Sequence, residues 1–257
     1  MLNKVPLVTL AFWIIKIMAT TIGETGADFL NADLGFGLSK TTLIVAVLLC
    51  AALAFQFRQN RYVPWIYWVA VVFLSVAGTL ITDNLSDNFG VSLYVSTAVF
   101  AIALAATFAA WCRSEHTLSI HAITTIRRES FYWAAILFTF ALGTAGGDLL
   151  AEQAGLGYAI SGAIFGAAIA VITAAYYFLR LNPVLAFWMA YVFTRPLGAS
   201  LGDFLTQPRQ NGGLGVSTMT VSAVFLVVIV ALVTYLTATG IDRKERRDTQ
   251  GMGRLDR

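Results

Sequence analysis

Residues 13–28 read WIIKIMATTIGETGAD, and the same frame returns at residues 68–83 (WVAVVFLSVAGTLITD), 133–148 (WAAILFTFALGTAGGD) and 188–203 (WMAYVFTRPLGASLGD). A tryptophan opens each copy (Trp13, Trp68, Trp133, Trp188), a glycine holds one fixed place (Gly23, Gly78, Gly143, Gly198), and an aspartate closes it (Asp28, Asp83, Asp148, Asp203). Three residue types in register four times over define an internal repeat, and that repeat decides the fold. After the aspartate, Gly35, Gly90 and Gly155 share one offset; the fourth copy carries a short insertion before Gly213.

Outward from these cores the chain is strongly apolar. Of its 257 residues 58% are hydrophobic and 12% charged, with a mean hydropathy of +0.75. A water-soluble domain needs a polar shell that these stretches do not offer. Helical spans need about 20 mostly apolar residues, and eight segments qualify: 5–29, 38–57, 64–83, 91–112, 131–150, 157–179, 184–205 and 216–239. They are continuously apolar rather than alternating, which favours helices over barrel strands. The first could pass for a signal peptide, but it carries Lys16 and belongs to the repeat, so it stays in the mature chain.

Lys4, Arg58, Arg61, Arg113, Arg127, Arg128, Arg180 and the basic tail fall on one side of these spans, and only Lys40 and Arg209 on the other. By the positive-inside rule both termini are expected in the cytoplasm. The net charge of +3 gives no bulk preference for nucleic acid. Cys50 and Cys112 have neither disulfide nor metal-ligand spacing.

The copies also pair. Trp13 to Trp133 and Trp68 to Trp188 are equal separations, and residues 23–28 resemble 143–148 more than either resembles the second or fourth copy. The expected fold is therefore all-α and polytopic: four parallel helix-hairpin repeats in two four-helix halves, with any symmetry axis along the membrane normal. The first half covers residues 1–112 and the second 131–240. Residues 113–130 form a cytoplasmic connector, and 241–257 a basic tail expected to be solvated and disordered. That tail could also meet acidic lipid or a partner.

On these Trp, Gly and Asp positions the chain resembles a family of small bacterial integral membrane proteins built from four tandem two-helix repeats of unknown function, each with a characteristic tryptophan. The resemblance covers residues 5–240. It implies a bacterial inner-membrane location and says little about chemistry.

Intramembrane carboxylates default to a functional reading. Asp83 lies about 22 residues past Arg61, roughly 33 Å of helix, which places it in the outer part of the bilayer. The other three aspartates inherit that depth and form a ring if the odd-numbered helices line the centre. The competing reading makes each aspartate a helix cap. Glu24, Asp87 and Glu152, each one turn from a repeated aspartate, crowd the same region with negative charge. The ligands on offer are oxygens, including Thr20, Thr25, Ser75, Thr79, Thr82 and Thr144. They suit a hard cation such as Mg²⁺, Mn²⁺ or Ca²⁺, with Asp28, Asp83, Asp148 and Asp203 as metal ligands, and equally suit a proton path.

Lys16 and Arg195 break the fourfold pattern. Each should face the interior and meet a carboxylate: Glu24 or Asp28 for Lys16, Asp203 or Glu24 for Arg195. They read either as structural ion pairs or as tethered cations that a substrate or proton displaces. The repeated glycines allow close helix packing or, alternatively, mark helix breaks. Pro196 makes the seventh helix the candidate for a discontinuity. The tryptophans read as packing or interface anchors, with substrate stacking as the alternative. His116 and His121 fall in the connector, which is a linker or a pH sensor.

No cofactor motif, nucleotide loop or nucleophile-base constellation is present, so an enzyme is not expected. The leading expectation is a secondary transporter or exchanger of a small cation, foremost a divalent metal ion. The expected partners are the lipid bilayer and a small cation or proton, with no nucleic acid and a homo-oligomer left open. The alternatives are a structural or regulatory membrane protein with capping aspartates, and a passive channel.

Overall fold

The computed structural model describes residues 3–241; the basic tail beyond lies outside the described residues. Every regular element there is helical. The long helices are α1 (Leu10–Asp28), α2 (Leu38–Arg58), α3 (Pro64–Asp83), α4 (Leu93–Glu115), α5 (Ile126–Asp148), α6 (Tyr158–Phe178), α7 (Pro183–Thr206) and α8 (Thr218–Thr239). Residues 5–9, expected inside the first span, are not helical; the Thr9 side chain accepts from the Phe12 amide and starts α1 one turn later. At the connector, Thr125 caps α5 in the same way, so the segment between halves shrinks to the residues between Glu115 and Ile126, with a short 3₁₀ turn at Ile120–Ala122. Pro64 and Pro183 open α3 and α7, where a missing amide hydrogen costs nothing.

The repeat dictates the packing. Helices α1, α3, α5 and α7 form a closed inner ring in that order, α7 returning to α1. Each outer helix packs on the inner helix of the next repeat: α2 on α3, α4 on α5, α6 on α7 and α8 on α1. In the apolar windows of α2, α4, α6 and α8 only 17–22% of residues are buried, against 56–72% in α3, α5 and α7. The outer helices thus present side chains such as Leu43, Ile102, Val171 and Val227 outward, all at least two-thirds exposed. An apolar exterior of this extent is stable against lipid and not against water.

The repeated glycines are contact points. A Cβ on Gly78 would stand 2.6 Å from the Phe140 Cβ. Gly23 likewise meets Ser75, Gly143 meets Arg195 and Pro196, and Gly198 meets Thr20. Each glycine therefore receives the residue three places before the next copy's glycine, around the ring, and no side chain would fit.

Past the aspartate, the first three inner helices end in a single π turn, at Phe29–Asp33, Asn84–Asn88 and Leu149–Gln153. Gly35, Gly90 and Gly155, with φ of +63° to +67°, then turn the chain into the outer helix. In the fourth copy α7 instead runs on to Thr206 before a 3₁₀ turn at Arg209–Asn211, which is what the insertion builds. Pro196 does not divide α7, which is continuous through it. The proline ring packs beside Gly143 and Gly147 of α5.

Seven of the long helices are apolar and long enough to cross a membrane; α1 is not among them. Lys16 and Glu24 interrupt its apolar run, and Lys16, Thr20, Thr21, Glu24 and Thr25 are all buried, held against neighbouring helices instead of facing outward. Of the eight spans expected, α1 is thus the least apolar. α1 is tolerated in the bundle because its polar side is enclosed by protein.

A carboxylate-lined candidate site in the inner ring

The inner ring stacks side chains in layers, because equal positions in the repeat fall at equal height. At one end Asp28, Asp83, Asp148 and Asp203, joined by Glu24, Asp87 and Glu152, line a single cavity of about 400 Å³. The convergence expected from the repeat is found. None of the four aspartate side chains makes a cap hydrogen bond: the π turns after Asp28, Asp83 and Asp148 have no side-chain cap, and Asp203 lies inside α7. Of the additional carboxylates, Asp87 accepts from the Ser86 hydroxyl at 2.8 Å, and Glu152 from the Tyr158 hydroxyl at 3.0 Å.

The carboxylates surround space without closing on a point. No three His, Cys, Asp or Glu side chains among the described residues are grouped to hold a metal ion. Asp28, Asp83, Asp148 and Asp203 thus line the cavity without forming such a group. Equal height around a ring fixes depth and leaves lateral spacing open, and a metal centre depends on the spacing.

Arg195 closes the floor. Its Nη2 donates to Glu24 Oε2 at 3.0 Å and to the Thr144 hydroxyl at 2.6 Å, and also to the hydroxyl of Thr79; Nη1 donates to the Thr20 carbonyl at 3.0 Å. Glu24, Thr79 and Thr144 occupy one and the same repeat position. The fourth copy has Ala199 there. One arginine thus gathers three copies of the repeat, and of its two expected partners it takes Glu24, not Asp203. Thr79 also donates to Glu24 at 3.2 Å. Thr25 and Thr82 turn away from the cavity, to Ser222 of α8 and to the Ala141 carbonyl. Ser75 is buried with no hydrogen-bond partner.

One turn below, Lys16 meets no carboxylate. Its Nζ lies 4.1 Å from the centre of the Phe140 ring and 4.2 Å from that of Tyr191, fully buried and without a hydrogen bond. The expected ion pair is replaced by a cation–π sandwich across the ring. Beneath it lies an aromatic collar built from the residue before each repeat tryptophan: Phe12, Tyr67, Tyr132 and Phe187. The Tyr67 and Tyr132 hydroxyls meet at 2.5 Å. Trp68, Trp133 and Trp188 are buried beside the collar, so they pack in the core and do not anchor at a lipid boundary. Trp13 is half-buried.

At the far end, which carries Arg58, Arg61 and the residues flanking the connector, a second buried ion pair closes the ring. Lys4 Nζ lies 2.6 Å from Glu129 Oε2, both side chains at most 2% exposed. Lys4 also donates to the Phe57 carbonyl, and Gln56 donates to Glu129. This pair and the collar escaped sequence reading. The collar left a signal, an aromatic residue before every repeat tryptophan; the ion pair left none. His116 and His121 lie at this end, in the connector, away from the acidic cavity. Cys50 and Cys112 are free and exposed on α2 and α4.

A ring of four inner helices, sheathed by four apolar helices and polar only along its axis, defines an integral membrane protein of tandem two-helix repeats. The Repeat of Unknown Function (DUF347) matches at residues 11–62, 66–117, 131–182 and 186–242, and the chain belongs to that family. Among curated proteins and solved structures nothing matches the chain.

Proposed function

We propose that the protein is a secondary transporter or exchanger of a cation, with the acidic cavity as its binding site in an outward-open state. The observation that carries the reading is that seven carboxylates face one cavity, while the side chains of Asp28, Asp83 and Asp148 cap no helix. So much negative charge in a confined space strongly favours a cation. A cation held there keeps part of its water or carries organic substituents, because the carboxylates are not drawn together into a ligand set. Arg195 and Lys16, one turn apart below the cavity, serve as internal counter-charges that a cation or proton displaces.

A carrier fits better than a passive channel. The axis is interrupted three times, by Arg195 with Glu24, by the aromatic collar, and by Lys4 with Glu129. Alternating access would open one end while the other stays closed. The basic end is assigned to the cytoplasm of a bacterial inner membrane, following the distribution of arginines.

The test is cation-driven flux in proteoliposomes, scanning Mg²⁺, Mn²⁺, K⁺ and tetraalkylammonium ions with an internal pH or voltage reporter. A saturable response to at least one cation, abolished in Asp28→Asn with Asp148→Asn, is expected. Flux unchanged in that double variant contradicts the proposal.

A further inference from the structure

The fourfold repeat is broken at one seam, between α1 and α7. Both odd cations stand there, Lys16 on α1 and Arg195 on α7. Trp13 is half-buried while its three equivalents are at most 5% exposed. The space beside Trp13 is a second cavity of about 470 Å³, walled by α1, α6, α7 and the connector. It occupies the basic-end half of the bundle and opens between helices. Its walls carry Trp13, Phe187, Tyr176 and Tyr177, with His121 of the connector at the basic end, and no Asp, Glu, Lys or Arg. Its inner end is formed by Ile17 and Thr194, the chain neighbours of Lys16 and Arg195. There the Thr20 hydroxyl donates to the Thr194 carbonyl at 3.3 Å, tying the two helices together. The groove and the acidic cavity thus approach the Lys16–Arg195 level from opposite sides.

We propose that this groove binds a lipophilic organic cation, a quaternary or delocalised positive charge wrapped in apolar groups, and that such cations are the transported class. The inference rests on the transport reading above. A cavity of this volume is of the size that holds a small organic molecule. Aromatic faces attract a cation through the ring quadrupole, and most strongly where no fixed charge competes. The apolar walls accept the cation's substituents, which a bare inorganic ion does not have. An anion would gain the same apolar contact but would then face the carboxylates of the second cavity. The route runs from the basic-end leaflet, along the groove, past the two fixed cations and into the acidic cavity.

The experiment uses the full chain in phosphatidylcholine nanodiscs with radiolabelled tetraphenylphosphonium, measured by equilibrium dialysis against empty discs. Saturable binding is expected, weakened about tenfold by Trp13→Ala and within about threefold of the parent for Trp13→Phe, since only the ring is needed. Thr173→Trp, which fills the groove from an exposed position on α6, should remove binding without touching the core. Tetraphenylborate, of equal shape and opposite charge, should not compete. Binding no greater than to empty discs overturns the proposal. So does binding indifferent to both Trp13→Ala and Thr173→Trp, and so does equal competition by tetraphenylborate, the behaviour of a groove for lipid chains. Groove binding in a protein that moves no cation would sink the transport reading and with it the transported class, leaving only the groove; inorganic cation flux without phosphonium binding would sink the groove and leave the transport reading.

Discussion

Arg195 Nη2 stands 3.0 Å from Glu24 Oε2, joining α7 to α1 across the seam where the four-helix ring closes. Neither residue type recurs at its repeat position: the equivalents of Arg195 are Thr20, Ser75 and Phe140, and those of Glu24 are Thr79, Thr144 and Ala199. Two independent departures from the repeat have met in one contact, and the hydroxyls of two further copies, Thr79 and Thr144, also accept from the guanidinium, whose Nε is left without a hydrogen-bond partner.

Removing one side of that pair should therefore cost more than removing both. Arg195→Met leaves Glu24 at the cavity floor without its cation, and a loss of about 3 kcal/mol is expected. Glu24→Gln keeps a hydrogen-bond acceptor and should cost less. Thermal unfolding of the two single variants and the double should show coupling, with the double less destabilised than the sum.

Lys16 has a different signature. It is fully buried with no hydrogen bond, so its charge opposes folding apart from the ring contacts. Lys16→Met should leave the unfolding temperature unchanged or raise it, while abolishing cation transport. A variant that is both less stable and fully active would make Lys16 a structural residue.

The glycine contacts separate from ordinary helical glycines. Gly78→Ala drives a methyl into Phe140 and should cost about 1–3 kcal/mol. Gly146, on the same α5 that bears Gly143, has open space where a methyl would stand, with no atom within 4 Å. Gly146→Ala should leave stability unchanged or raise it by up to about 1 kcal/mol through helix propensity. Unfolding midpoints of the two variants check the contrast.

At the basic end, Glu129→Leu removes the charged partner of the buried Lys4 ammonium and should destabilise by about 3–5 kcal/mol. Lys4→Met combined with Glu129→Leu should recover most of that loss in a thermal unfolding assay.

Much of this was legible in the sequence because a repeat converts one position into four. The span expected at residues 64–83 is α3 itself, since an apolar run, a leading Pro64 and a closing Asp83 agree. The shared cavity of Asp28, Asp83, Asp148 and Asp203 followed from equal depth. What the repeat could not supply was lateral distance, on which the spacing of the four carboxylates depends. Lys16 was assigned a carboxylate because Glu24 and Asp28 share its helix, yet its partners Phe140 and Tyr191 come from other helices across the ring. Lys4 and Glu129 are 125 residues apart and each read as an ordinary charge near a membrane face. The π turns also lay beyond reach, because continuing a helix by one wide turn or ending it in a loop uses the same residue types.

Transport through the inner ring requires the four repeated aspartates to open into one water-filled, acid-lined space reached from one side. Labelling by a membrane-impermeant cationic methanethiosulfonate reads this out. Cysteine is placed singly at Asp28→Cys, Asp83→Cys, Asp148→Cys and Asp203→Cys, after Cys50 and Cys112 are replaced by serine. All four positions should react from the side opposite the termini and be protected together by a bound cation. Positions that stay unlabelled, or that react from different sides, would contradict the shared cavity and the transport role built on it.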